Sequence, residues 1–307
     1  MKVLVTGGAG FIGSHVVDRL VQEGHEVVVV DNLSTGKRRN LNRAARFCKM
    51  DIQSWRLERV FRNERPHIVM HLAAQMDVRK SVEDPVFDAQ VNILGMLNVL
   101  QQAVRHGVRK VVFSSSGGAI YGEQEIYPAS ESHVTRPLSP YGISKLCGEQ
   151  YLSYYQRVSG LQVVNLRYAN VYGPRQDPDG EAGVVAIFIQ KLLNNEQAII
   201  YGNGRQTRDF VYVEDVVEAN LAVMSQEIQG TYNVGTGQET SINDLLRILI
   251  THTNSTCKEV HGPARKGEQA RSVIDSTKLR QELSWEPRTE LSEGLKRTVE
   301  YFRERMG

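Results

Sequence analysis

The residues best placed to do chemistry in this chain are Tyr141 and Lys145, four apart in "SPYGISK". The Ser139-Pro140 pair ahead of them suits a helix start, since proline is tolerated in the first turn and pre-sets its φ. Residues four apart then share one helical face. A free phenol titrates near ~10, and an ammonium beside it stabilises the phenolate, so the spacing predicts a base working near neutral pH. A hydroxyl cluster, "SSSGGAIYG" from Ser114 to Gly122, follows the apolar run "KVVF". A serine hydroxyl given to a substrate oxygen would complete the proton path.

A strand, a turn and a helix must carry the partner of such a base. "VTGGAGFIG" sets Gly7, Gly10 and Gly13 between an apolar run and an amphipathic stretch with Ile12, Val16, Leu20 and Val21. Glycines there allow a tight turn and let the backbone approach a pyrophosphate at the helix N-terminus. A second strand-like run ends in Asp31, 18 residues beyond Gly13. A carboxylate at that point would accept hydrogen bonds from the adenosine ribose and repel a 2′-phosphate, which favours NAD over NADP. The arginines of "KRRN", Lys37 to Asn40, are the feature that would suit NADP; they read as a solvated helix start.

The runs "KVLVT", "EVVVVD", "RFCKM", "HIVMHL", "KVVFSS" and "LQVVNLR" alternate with helical patterns. Over the first ~170 residues this predicts an α/β fold, a Rossmann-type doubly wound parallel sheet covered on both faces. Later residues mix polar loops with helices expected near 184–194, 214–227, 241–252 and 291–305, a smaller mixed α/β lobe. The division expected is a cofactor domain over 1–172, rejoined by 210–237, and a substrate lobe over most of 173–307. "DPVFDAQVNILGMLNVLQQAVRHG" and "SPYGISKLCGEQYLSYYQRVSG" read as long helices. Val91, Leu94, Leu97, Leu152 and Tyr155 on them could serve a core or an interface.

The 307 residues carry a net charge of +2, so no strong field argues for nucleic acid or an anionic membrane. No apolar run approaches the roughly 20 residues that span a bilayer. Cys48, Cys147 and Cys257 are too few and too scattered for a disulfide framework or a zinc site, which points to a reducing cytoplasm and no metal.

"TGGAGFIG", Asp31-Asn32, "HLAAQ", Asn92, the serine run, "YGISK" and "RYANVYGPR" together resemble the extended short-chain dehydrogenase/reductases, most of all the UDP-glucose 4-epimerase group. "GNGRQTRDFVYVEDV", "YNVGTG" and "RKGE" extend the resemblance over essentially the whole chain. It implies that Phe11 and Ile12 lie against the pyrophosphate of NAD, and that Asp31, Asn32, Ser34, Thr35 and Gly36 surround the ribose. Asp51 and Ile52 would contact adenine, and Leu72, Ala73, Ala74 and Gln75 would line the groove. Asn92 would sit beneath it and Tyr168 beside the nicotinamide. For a nucleotide sugar the resemblance implies Asn170, Val184, Tyr201, Arg208, Arg265, Glu268 and Ser272. The two arginines would hold the diphosphate, for which a forked guanidinium is suited.

Dehydratases and decarboxylases of the resembled family carry an acid just after the catalytic hydroxyl, where this chain has Gly117, Gly118 and Ala119. None of these can protonate a leaving hydroxyl. The resemblance therefore implies reversible oxidation at C4 of a UDP-hexose, with Tyr141 taking the proton, Lys145 beside it, and Ser116 or else Ser115 supplying the hydroxyl. Inversion at C4 would interconvert UDP-glucose and UDP-galactose. A small Ser272 suggests that UDP-N-acetylglucosamine is also admitted. Epimerisation of UDP-glucuronate and a non-catalytic NAD-binding sensor are the alternatives, and a homodimer through the two long helices is implied by the family.

Overall fold

Six strands form where the apolar runs lie: β1 (Lys2–Thr6), β2 (Glu26–Asp31), β3 (Arg46–Lys49), β4 (Ile68–His71), β5 (Lys110–Ser116) and β6 (Gln162–Tyr168). The computed structural model describes residues 1–180, 183–264 and 269–306. A seventh strand, Gly230–Val234, pairs in parallel with β6 at the edge. The order across the sheet is Gly230–Val234, β6, β5, β4, β1, β2, β3, and every pairing is parallel. Strand order reverses between β1, β2 and β4, so a crevice opens at their carboxyl ends, where doubly wound sheets bind ligands.

The strands are apolar throughout because both faces are buried. Val3, Val5, Val29, Ile68 and Met70 face one way, against Val16, Val17 and Leu20 of α1 (Phe11–Gln22) and the helix Val213–Ser225. Leu4, Val28, Val30, Val69 and Phe113 face the other way, against α2 (Leu57–Glu64) and the helices Met96–Arg105 and Pro140–Ser159. The period-two alternation of a strand thus splits each run between two cores. A third core joins the helices Val184–Leu193, Ile242–Thr253 and Leu291–Met306 around Tyr172, Phe210 and Tyr212. Each of the four late helices falls within two residues of its expected bounds.

The first long helix departs from expectation. It runs Pro85–Ala89, widens into a π-helical segment over Gln90–Gly95, and resumes as Met96–Arg105. Gly95 packs against Ile52, where a Cβ would stand 2.8 Å from the Ile52 Cδ1. Asn92, inside the widened turn, exchanges two hydrogen bonds with the backbone of Gln75, at 2.9 and 2.8 Å. A π-bulge spends one residue to aim a side chain, a common device at functional sites.

Candidate active site

The glycine loop is built for close backbone approach. Gly7 has φ of 72°, and a Cβ on it would lie 2.7 Å from the Ala73 amide nitrogen. A Cβ on Gly13 would collide with the Gly7 carbonyl oxygen. Gly10 caps α1 without a side-chain hydrogen bond, so the first-turn amides keep their capacity for an anion. Asp31 is buried at the end of β2, its Oδ2 accepting from the Ala9 amide at 3.0 Å and its Oδ1 from Leu33 at 2.8 Å. Asn32 donates to Asp51 at 2.8 Å, tying the end of β2 to the loop after β3.

A groove at the crevice is lined by Gly7, Gly10, Phe11, Ile12, Gly13, Asp31, Asn32, Ser34, Thr35, Asp51, Ile52, Leu72, Ala73 and Ala74, all expected there. Val30, Met50, Met76, Val91 and Ser114 line it too and were not read from the sequence as groove residues, although Met50 directly precedes the Asp51-Ile52 pair. Gly36 packs behind the wall, where a Cβ would stand 2.8 Å from Asp31 Oδ1. Gln75 and Asn92 brace the groove from beneath. Tyr168 turns its hydroxyl into the core, donating to Asn220 at 3.0 Å. Two of the three basic residues of "KRRN" are engaged elsewhere: Lys37 pairs with Asp177 at 2.8 Å and Arg38 lies over the Phe47 ring. A glycine cradle, a buried carboxylate and an apolar slot fit a dinucleotide without a 2′-phosphate.

Ser139 caps the Pro140–Ser159 helix, accepting from the Gly142 amide at 3.1 Å. One turn in, the Lys145 ammonium lies 5.7 Å from the Tyr141 ring centroid and donates to the Ser114 carbonyl at 2.7 Å. Along β5 the serines alternate. Ser116 lies on the Tyr141 side, where its hydroxyl favours the phenolate, while Ser115 turns the other way and donates to Glu149 at 2.6 Å. Glu149 in turn holds Arg167 through two bonds of 2.9 and 2.7 Å, and Arg167 reaches Tyr121.

The phenol is pushed above its ordinary value, not below it. Burial is the main cause, opposed by the Ser116 hydroxyl and reinforced by the charge of Asp88. Burial also brings Lys145 down to about 8, against the pull of Asp88 and Glu149. Desolvation acts on both partners at once, which the spacing of the pair in the sequence did not reveal.

Of the residues expected at the nucleotide sugar, Asn170 and Ser272 meet through the backbone of Asp209, the residue after Arg208. The Asn170 amide donates to the Asp209 carbonyl, and the Asp209 amide donates to the Ser272 carbonyl, both at 2.9 Å. A Cβ on Gly118 would lie 3.8 Å from Asn170 Oδ1 and 4.0 Å from Ser272 Oγ, so these three small groups face one space. Asp209, buried and missed by the sequence reading, accepts from Thr236, Gly237 and Ile274 and ties three segments together. Arg208 donates to the carbonyls of Thr207 and Gln269 at 2.8 and 2.9 Å. Val184 opens a helix, and Tyr201 ends the short strand Ile199–Tyr201, half exposed. Arg265 and Glu268 lie outside the described residues.

A family model described as the NAD dependent epimerase/dehydratase family matches residues 3–235, and the chain belongs to that family. Its relatives resemble it from end to end. A UDP-glucose 4-epimerase from Thermotoga maritima, solved with UDP-glucose, is 50% identical with a TM-score of 0.98 and full coverage of both chains. The Thermus thermophilus UDP-glucose 4-epimerase in complex with NAD is 47% identical, with a TM-score of 0.94 and 99% coverage of each. A putative UDP-glucose 4-epimerase of Methanocaldococcus jannaschii is 46% identical over 98% of both chains.

Proposed function

We propose that the protein inverts C4 of a UDP-hexose, interconverting UDP-glucose and UDP-galactose through a transient 4-keto sugar. NAD, which the glycine loop and Asp31 would hold, would supply a reversible hydride acceptor for C4. Tyr141 removes the proton from the 4-hydroxyl, Ser116 hydrogen-bonds the same oxygen, and Lys145 stabilises the phenolate charge. Binding through the diphosphate, assigned to Arg208 with Arg265 and to Glu268 at the ribose, leaves the sugar free to turn and present its other face. The observation that carries this reading is the absence of an acid at Gly117–Ala119 beside the serine–tyrosine–lysine group. Such a site can move a proton and a hydride at one carbon and has no acid there to expel a hydroxyl.

The test is incubation with UDP-galactose without added reductant, following UDP-glucose. Conversion by the parent protein, with Tyr141→Phe slower by about 10²–10⁴-fold, is expected for loss of a general base. A Tyr141→Phe protein as fast as its parent would end the reading. Gly118, Asn170 and Ser272 around one space favour a sugar pocket that also admits UDP-N-acetylglucosamine. Assay of both sugars checks this; no turnover of the acetylated one removes it.

We read residues 1–172 with 210–237 as the cofactor domain and the remainder of 173–307 as the substrate lobe, because Gly230–Val234 pairs with β6. Exposed Val86 and Leu94 on the Pro85–Arg105 helix, with Ile143, Tyr151 and Tyr154 on the Pro140–Ser159 helix, support a homodimer through these helices. Leu152 belongs to the core and Val91 to the groove, so they serve no such face. Three free cysteines favour the cytoplasm. No helix among the described residues is long and apolar enough to cross a membrane.

A further inference from the structure

A wholly buried carboxylate lies behind the tyrosine–lysine pair. Asp88 Oδ1 accepts from Gln75 Nε2 at 3.0 Å and from Asn92 Nδ2 at 2.9 Å, and its Oδ2 accepts from Ser144 Oγ at 2.6 Å. All of these donors are neutral, and Asp88 forms no ion pair among the described residues. Burying a carboxylate on such terms is costly unless a nearby cation benefits from its charge. A candidate is Lys145, itself buried and next in the chain to Ser144, which Asp88 holds.

Several charged or titratable groups face Lys145. Tyr141 and Glu149 share its helix, His71 approaches from β4, Asp88 comes from the Pro85–Ala89 helix, and Arg167 stands on β6 behind Glu149. Glu149 is already neutralised by the two-pronged Arg167 contact. His71 is held neutral, its ring stacked on Phe113 and bonded to Thr6 at 2.8 Å. Asp88 is then the carboxylate left to answer the Lys145 charge.

We propose that Asp88 is a positioning residue for Lys145: it anchors the helix through Ser144 and holds the neighbouring amine as an ammonium beside the Tyr141 phenol. The same carboxylate fastens Asn92 and Gln75, so one buried charge aligns the floor of the groove with the proton-handling pair. This rests on the reading of Tyr141 and Lys145 as that pair.

Asp88→Asn keeps the shape and removes the charge, since the new amide can donate to the Ser144 oxygen while its carbonyl still accepts from Gln75 and Asn92. The measurement is the titration of the Lys145 Cε resonance in carbon-13 lysine-labelled protein, assigned with Lys145→Arg, alongside kcat against pH. Losing a negative neighbour destabilises the ammonium, so the Lys145 midpoint falls in Asp88→Asn, by about one pH unit, and the alkaline limb of kcat moves the same way. Ser144→Ala keeps the charge: its Lys145 midpoint stays with the parent while kcat drops several-fold. An unmoved midpoint in Asp88→Asn overturns the proposal; should that variant not fold, parental kcat in Ser144→Ala does so instead. A parent protein that leaves UDP-galactose unchanged would remove the reaction reading, and the Lys145 midpoint would still decide the role of Asp88.

Discussion

The two sides of the crevice are built in opposite ways. The cofactor side is made of strand ends in chain order, and main-chain groups do most of the positioning: Gly7 to Gly13, Asp31 to Thr35, Asp51-Ile52 and Leu72 to Ala74. Its contacts bridge adjacent strands, as when the Ala73 amide donates to Thr6 at 3.2 Å. The substrate side is assembled from two- and three-residue strands far apart in the chain. Arg271–Ser272 pairs with Thr207–Arg208, which pairs with Thr240–Ser241, and Phe210–Tyr212 pairs with Asn170–Tyr172. Strands so short hold position through buried side chains such as Asp209, where the long parallel strands of the sheet hold it through ladders. The fixed half suits a bound dinucleotide, and the composite half suits the turning sugar of the proposed reaction.

That contrast can be broken from the cofactor side first. Gly13→Ala drives a methyl into the Gly7 carbonyl, so we expect α1 to be pushed from the loop. The cost is about 1–3 kcal/mol, as in other overpacked sites, and bound NAD is lost. Mass analysis of the cofactor released from purified protein, with a melting curve, checks it; retention of NAD at parental stability would refute the cradle.

From the substrate side, Asp209→Ala strands several buried donors that now end on one carboxylate. Each unpaired donor costs about 1–3 kcal/mol, part of which water entering the gap recovers. The expected result is a raised KM for the UDP-sugar with NAD content unchanged. Loss of NAD instead would show that the two halves are not independent.

The smallest effect sharpens the comparison through pH. His15 of α1 bonds the Pro174 carbonyl at 2.9 Å, and burial lowers its pKa to about 4, while His71 under the cofactor side is lowered to about 3. Both imidazoles are neutral in the folded chain and take up protons more readily when unfolded. Their contribution to stability is full above pH ~6.5 and is lost as pH falls from there toward the folded values. Melting temperature measured down that range should decline, and His15→Gln should flatten part of the decline.

Much of the fold was legible because it rests on local periodicity. Six strands and the four late helices lie where apolar runs and helical spacing put them. The glycine loop, Asp31, Tyr141 and Lys145 were legible because each sits at a fixed offset from such an element. The π-helical turn over Gln90–Gly95 was not, since it depends on Asn92 meeting Gln75 and Gly95 meeting Ile52 across the fold. Spacing favoured Ser116 with Ser115 as the fallback; what spacing did not contain is that the Ser115 hydroxyl is taken up by Glu149, on the other side of the strand.

The sequence by itself determined the family, the doubly wound sheet, the preference for NAD and the lack of an acid after the serines. The sheet and the cofactor preference follow from residue type and spacing within one strand–turn–helix unit at a time, and the family from the order of motifs along the whole chain. Tertiary structure alone decided that the phenol is raised and the lysine lowered, that Asp88 and Asp209 are buried among neutral donors, and that Gly118, Asn170 and Ser272 share one space. Desolvation and long-range contact depend on what the rest of the chain packs around a residue, and no local pattern of letters contains that.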